Sequence, residues 1–360
     1  MSPTRQTGER EFIESIRRRF TGASPPAPRG IGDDAALLER AGGSLLVSTD
    51  CLIETRHFTR SEPAYLLGRK SLAVNFSDIA AMGGLPASFL LTLGIPADLP
   101  GRYLDDFLAG LRTCAREHDV NLIGGDTSSS PGPLVISITV LGRPAKGAAG
   151  RVLTRSGARP GDRIYVSGPL GGSAAGRSLL ARGFRPRLDR ARRRLKGAIV
   201  PSGGPRITPV RLLEALRLHL DPVPRIGLGT RLAARGIATS AMDLSDGLSL
   251  DLARLASASG VGARLLSPAI PIADCARAVA PALGLDTLRL ALDGGEDYEL
   301  LFTVPPAKEP LVAHLPVFCI GQVTSRRGLF LMNGAGKVTA LRPGGFDHFR
   351  TASPRFVDAP

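Results

Sequence analysis

The chain has 360 residues, 43% of them hydrophobic, with a net charge of +14, four cysteines and no tryptophan. That length is enough for two domains with separate cores, and no apolar run approaches the eighteen residues that a membrane-spanning helix needs. The cysteines (Cys51, Cys114, Cys275, Cys319) are far apart without a CxxC pair, which argues against a zinc site and a disulfide framework.

The opening MSPTRQTGEREFIESIRRRF carries charges where a signal peptide has an apolar run, which points to the cytoplasm. Within it Phe12, Ile13, Ile16 and Phe20 recur at helical spacing and predict a packing helix from Glu9. A Pro/Gly-rich stretch then leads to GIGDDAALL, where Asp33 and Asp34 either cap a turn or belong to a site. Residues 44–48 predict a buried strand ending at Thr49-Asp50, which would set Ser48, Thr49 and Asp50 as oxygen ligands at the mouth of a sheet. His57 follows; a lone surface histidine carries little weight.

Ser61-Glu62-Pro63 predicts a capped helix start with proline in the first turn, and Gly83-Gly84 its stop. Inside this apolar helix Ser71, Asn75 and Asp78 share one face, a polar stripe that is unfavourable to bury unless it meets a ligand or ion. Further on, 87–95 predicts a strand, 102–117 a helix, and 121–123 a strand ending in Gly124-Gly125-Asp126-Thr127. The two glycines there allow close backbone approach to a phosphate, or form a turn capped by Asp126. Residues 134–141 predict another strand, and 146–150 a linker and domain boundary.

In the second half, 151–176 reads as loop, strand, Gly-rich turn and helix, and no GxxxxGK[ST] occurs, so any ATP is not held by a P-loop. Residues 182–217 hold eleven Lys and Arg against two acids, so +9 of the +14 lies there; this reads as an insertion with a solvated helix. With few aromatics to stack on bases, nucleic-acid binding by this segment is an alternative rather than the first reading. Another helix precedes AMDLSDGL, where Asp243 and Asp246 flank a strand-to-helix turn. Residues 298–304 predict a buried strand entered from Gly294-Gly295-Glu296-Asp297, 317–323 and 328–332 a closing pair of strands, and GGFDHF ends the ordered pattern.

Six glycine- or serine-flanked acidic sites in a basic protein need a common cause. Carboxylates repel phosphate, so such a site works through divalent cations that bridge the two, and Mg²⁺ suits this ligand set. The chemistry expected is phosphoryl transfer, in which positioning and charge neutralisation supply most of the catalysis.

In order, GIGDDAAL, STD with a downstream His, NFSDIAAMG, LIGGDT, LTRSGARPGD, MDLSDGL and GGEDYEL resemble the motifs of the thiamine-monophosphate kinase family, over roughly residues 10–349. That family shares a superfamily with aminoimidazole ribonucleotide synthetase, selenophosphate synthetase and a hydrogenase maturation protein. The resemblance implies an α/β (α+β) two-domain fold: 1–145 binds ATP and Mg²⁺ and pairs as a dimer sheet or barrel, 146–349 forms the second α/β domain with the basic insertion 182–217, and 350–360 is a tail.

The resemblance also implies transfer of the γ-phosphate of ATP to thiamine monophosphate. Asp33, Asp34, Ser48, Thr49, Asp50, Asp78, Asp126, Asp243 and Asp246 would ligate several Mg²⁺ ions. Gly125, Asp126, Arg155 and Ser245 would contact ATP, and His57, Glu296 and Phe346 would line the thiamine phosphate pocket, whose cationic ring suits a carboxylate and an aromatic face. No catalytic base is assigned, because the acceptor phosphate is already anionic. The chain departs from the family at Ser128-Ser129-Ser130 and at Asp221. Within the superfamily, a selenophosphate synthetase-like or hydrogenase maturation-like activity is the other enzymatic alternative, although Cys51 lacks the glycine-rich setting of a reactive cysteine.

Overall fold

The structure, a computed structural model, describes residues 9–20, 31–39, 43–145, 151–189, 191 and 193–346. The linker expected at 146–150, the stretch 22–30, the end of GGFDHF and the tail lie outside the described residues.

The first half runs α1 (Glu9–Phe20), β1 (Ala36–Leu38), β2 (Leu45–Ile53), α2 (Ala64–Ala81), β3 (Gly84–Pro96), α3 (Gly101–Glu117), β4 (Asn121–Ser130) and β5 (Val135–Pro144). Its strands form one sheet in the order β1-β2-β5-β3-β4, antiparallel except for β3 with β4. That parallel pair needs a crossover, and α3 supplies it. Alternation along the strands gives the sheet two unlike faces. Leu46, Leu52, Ile136, Ile138, Val140, Phe89, Leu91 and Leu93 are buried beneath α2 and α3. The opposite face is open, with one row running Cys51, Ser137, Thr92, Asp126 across four strands.

The second half holds β6 (Arg163–Val166), α4 (Gly172–Ala181), β7 (Arg185–Asp189), β8 (Arg194–Ile199), α5 (Pro209–Leu220), α6 (Ile226–Ala234), β9 (Ser240–Asp243) and α7 (Leu248–Ser259). β10 (Gly262–Leu266), α8 (Asp274–Ala282), α9 (Thr287–Asp293), β11 (Leu300–Val304), β12 (Phe318–Thr324), β13 (Gly328–Met332) and β14 (Val338–Ala340) follow. Seven strands make a mixed sheet, β14-β13-β10-β12-β6-β11-β9, while β7 and β8 form a separate hairpin.

α2 joins the halves. Sixteen of its 18 residues are buried, and it is apolar on every side rather than on one stripe, the signature of a helix inside a core. Leu72, Phe76 and Ile79 enter the core of the first half, Tyr65 and Leu66 pack with Leu179 and Leu216, and Ala81 packs with Leu232 and Phe302. Each large side chain so enclosed contributes roughly 1.5–3 kcal/mol. The crossing with α3 is close enough that a Cβ on Gly110 would fall 1.8 Å from the Tyr65 carbonyl oxygen.

Several expectations change. STD lies within β2 instead of at its end, and β4 continues through the glycines to Ser130 with no turn. The N-cap of α2 is Pro63 with no side-chain cap. Phe12 and Ile13 of α1 are 37% and 43% exposed, so its apolar face is not packed as expected. The helix expected to be solvated in 182–217 is α5, which buries Leu212, Ala215, Leu216 and Leu220; the rest of that segment is chiefly the hairpin. β12 and β13 do not pair, because β10 lies between them.

Candidate active site

Three carboxylates meet where α2 crosses the edge strand of the second sheet. Asp34 comes from the turn before β1, Asp78 from α2 and Asp243 from the end of β9, and one oxygen of each lies within 4.8 Å of the others. Ser48 donates to Asp78 Oδ2 at 2.6 Å and to the Asp34 carbonyl at 3.1 Å. Ser77 Oγ donates to Asp243 Oδ2 at 2.7 Å, tying the two halves together. Burial pushes all three carboxyls above the ordinary range; for Asp78 the charges of Asp50, Asp243 and Asp34 push further, while for Asp34 the pull of Arg155 opposes. Asp34 Oδ2 is buried with no hydrogen-bond partner. A buried carboxylate trio with an orphaned oxygen is a group that can hold a metal ion, and hard oxygen donors of this kind suit Mg²⁺.

Asp50 follows Ser48 on the same face of β2. Its backbone N–H donates to Asn75 Oδ1 at 3.2 Å, and burial, then the charge of Asp246, raise its carboxyl to about 6. Asp246 lies in the turn after β9 and is ion-paired to Arg254. Asp251 fixes that turn from the first turns of α7, its Oδ2 accepting from the Asp246 and Gly247 N–H groups at 3.0 Å each. Arg155 reaches in from before β6: its N–H donates to Asp33 Oδ1 at 2.8 Å, and its guanidinium to Asp34 Oδ1 at 2.6 and 3.1 Å. Asp33 is thus engaged by backbone, and Arg155 sits against the trio.

Beside these acids a cleft is lined by Asp50, His57, Arg177, Ser245, Asp246, Glu296 and Phe346. His57 Nδ1 accepts from the Ile53 N–H at 2.9 Å, Phe346 N–H donates to the Asp246 carbonyl at 3.1 Å, and Arg56 lies 4.9 Å over the Phe346 ring. Glu296 stands at φ +57°, held by its N–H on the Ser245 carbonyl at 2.7 Å. A non-glycine residue there costs roughly 1–2 kcal/mol, strain that collects at functional sites.

Four residues singled out in the sequence stand apart. Thr49 points to the open face of the sheet, donating to the Ile138 carbonyl at 3.1 Å and accepting from Thr139 Oγ1 at 3.0 Å. Gly125 and Asp126 lie on edge strand β4, exposed, and by strand spacing Asp126 is about 14 Å across the sheet from Cys51. Gly125 is glycine because β3 is close: a Cβ there would fall 1.8 Å from the Leu91 carbonyl oxygen. Ser71 turns back to its own helix, donating to the Leu67 carbonyl at 2.7 Å.

Residues 32–143 match the family described as AIR synthase related protein, N-terminal domain, and residues 159–332 match AIR synthase related protein, C-terminal domain. The chain is 41% identical over 353 residues to the thiamine-monophosphate kinase of Escherichia coli (strain K12), covering 96% of this chain and 99% of the relative. It is 33% identical over 352 residues to that of Bacillus subtilis (strain 168), covering 95% and 99%. The chain belongs to the thiamine-monophosphate kinase family. Its fold matches a solved structure described as "AaThiL complexed with AMPPCP and TMP" at a TM-score of 0.80 and 32% identity, covering 97% of this chain and 99% of that one.

Against this thiamine-monophosphate kinase background, several site residues went unread in the sequence. Ser77 looks like one more small residue of a buried helix. Asp251 had a signal: an acid in the first turns of a helix that follows a polar turn reads as a back-bonding cap. Arg254 is its neighbour one turn on. Lys70 and His219, both buried behind Glu296, have no local signal, since only the fold brings α2 and α5 to that loop.

Proposed function

We propose that this chain transfers the γ-phosphate of ATP to the phosphate of thiamine monophosphate, giving thiamine diphosphate. The observation that carries this reading is the convergence of His57, Asp50, Ser245, Asp246, Glu296 and Phe346, drawn from both halves, on one cleft beside the buried trio Asp34, Asp78 and Asp243.

The trio, with Ser48, Asp50 and Asp246 at its border, would hold Mg²⁺, which when bound would neutralise phosphate charge and bridge it to the carboxylates. Arg155 and Ser245 would contact the nucleotide: the guanidinium balances negative charge at the trio and can do the same for a phosphate. Glu296 and Phe346 offer a carboxylate and an aromatic face to the cationic thiazolium ring, with His57 on the adjoining wall. Positioning and charge balance are the catalytic means, without a general base.

The division into 1–145 and 146–349 as domains, and a homodimer, belong to the same proposal. β4 is a long exposed edge with Leu122 and Ile123 54% and 57% accessible, a strand that stays soluble only when something covers it. Thr49 and Asp126 share the open face at its two sides, so a second copy laid on that face would carry Asp126 of one protomer toward Thr49 of its partner. Among the described residues no helix is long and apolar enough to cross a membrane. No feature of the cleft calls for nucleic acid.

The test is incubation with ATP, Mg²⁺ and thiamine monophosphate, followed by chromatography for ADP and thiamine diphosphate, with free thiamine as the control acceptor. ATP turnover with thiamine but not with its monophosphate would overturn the reading.

A further inference from the structure

Behind Glu296 lies a buried cation that the phosphotransfer reading does not use. Lys70, on α2, is 1% exposed, and its ammonium is 3.0 Å from Glu296 Oε1. Lysine is almost never enclosed unless paired, and here the pair spans the two halves of the molecule. On the other carboxylate oxygen, His219 Nδ1 of α5 lies 3.4 Å from Oε2 and 3.0 Å from Ser173 Oγ. Burial, then the charge of Lys70, lower the His219 pKa to about 3, so the ring is neutral and Lys70 is the fixed charge in contact with Glu296. Arg177 of α4, Glu62 ahead of α2, and Asp297 and Tyr298 of the same loop are the other titratable groups around it.

We propose that Lys70 is a positioning residue for substrate recognition: anchored in α2, it fixes the direction and the charge of Glu296 across the seam, so that this carboxylate meets the cationic ring of thiamine phosphate. This rests on the function proposed above. The backbone of Glu296 is pinned by Ser245 at a left-handed φ, and Asp297 beside it accepts from the Gly171 and Ser173 N–H groups at 2.8 and 3.2 Å, so the loop cannot re-aim the side chain. Lys70 and His219 approach from behind, each on a different oxygen, while Glu296 lines the cleft on its other side. Burial alone would raise such a carboxyl; against it, the nearby positive charges, Lys70 first, hold the group at about 2.

The experiment is steady-state kinetics of the full-length enzyme with ATP, Mg²⁺ and thiamine monophosphate for K70M, K70R, E296Q and K70M/E296Q, with thermal unfolding as the control for folding. K70M is expected to raise KM for thiamine monophosphate about tenfold or more while KM for ATP stays within about twofold. The ratio of thiamine monophosphate KM between K70M and wild type should grow as pH falls, because a carboxylate without its cation protonates sooner. K70R should recover most of the loss. K70M/E296Q, which removes both charges and so avoids an unpaired buried acid should K70M not fold, should match E296Q alone, since a residue acting through Glu296 adds nothing once Glu296 is neutral. An unchanged KM in K70M, equal rises for both substrates, or additive losses in the double variant would overturn the role of Lys70. Failure of the wild-type chain to make thiamine diphosphate would instead overturn the reading on which it rests.

Discussion

Asp243 and Asp126 both close a short apolar run, one at the head of MDLSDGL and the other after two glycines in LIGGDT, yet the fold treats them oppositely. Asp243 is driven into a seam between two sheets, where burial and Asp34 push its carboxyl upward and Ser77, Asp34 and Asp78 lie against it. Asp126 is left on the open face of an edge strand, in one row with Thr92, Ser137 and Cys51. One acid has its site completed by its own chain; the other needs something to be laid on it. An acid at the end of an apolar run is therefore a candidate ligand, and burial decides whether its own chain gathers others around it.

The strongest way to break this contrast is Asp243→Ala. Removing one carboxylate of a three-carboxylate cluster should lower kcat by about 10³-fold or more at saturating ATP, a loss of roughly 4 kcal/mol of transition-state stabilisation. The folded state should survive, because the substitution relieves repulsion within the trio. A variant with near-normal turnover at low Mg²⁺ would remove Asp243 from the chemistry.

Asp126→Ala should also abolish turnover, by about 10²-fold or more, but for a different reason, and mixing separates the two. Asp126→Ala and Asp243→Ala subunits, each inactive alone, are unfolded together and refolded as hybrids. If Asp126 serves the partner's site, a hybrid has one intact site, and random pairing restores about a quarter of wild-type activity, the statistical expectation for a symmetric dimer. If Asp126 acts only within its own chain, no activity returns; if it does not act at all, the Asp126→Ala subunit is active before mixing.

Much of the site was legible in the sequence because its chemistry is carried by short ordered motifs. Asp34 and Asp78 were each marked by an acid next to a small residue and Asp243 by its spacing of three from Asp246 in MDLSDGL, and His57, Glu296 and Phe346, from three distant segments, do line one cleft. What could not be read was direction. STD was expected at a strand end, where all three side chains could serve; it lies mid-strand, and alternation sends Thr49 to the face opposite Ser48 and Asp50. The glycines of GGDT suggested close approach to a phosphate or a capped turn; no turn forms there, and Gly125 is required by the Leu91 carbonyl in the neighbouring strand. Charge count misled at 182–217, since the basic side chains of α5 lie along the outside of a helix whose other face fills a core. Periodicity of the apolar residues held that information, and charge obscured it.

Gly125 sharpens the contrast from the side of Asp126. Gly125→Ala places a methyl group within bonding distance of the Leu91 carbonyl oxygen, so β3 and β4 must part or shift register. A loss of about 3 kcal/mol in unfolding free energy is expected, measured by denaturant titration, together with weaker dimerisation by sedimentation. If glycine were present only for phosphate approach, stability would be unchanged and KM for ATP alone would rise.

The smallest effect tests the seam itself. Asp34, Asp78 and Asp243 have carboxyls raised by burial, and Asp50 is raised from 3.8 to about 6 by burial and Asp246. A group with a raised folded pKa stabilises the fold fully below its unfolded pKa and loses that contribution as pH rises through the folded value. For Asp50 the window runs from 3.8 to about 6. The metal-free protein should therefore lose stability across that window, by something on the order of 1 kcal/mol after solvent screening, or a few degrees of Tm. Mg²⁺ binds the deprotonated acids, so its stabilisation must grow over the same interval: the Tm gain from millimolar Mg²⁺ should be small near pH 5 and largest above about pH 7. Asp78→Asn should flatten both curves, because it removes a charge from the middle of the cluster. Curves with the wild-type slope in this variant would mean that the cluster does not set the pH dependence.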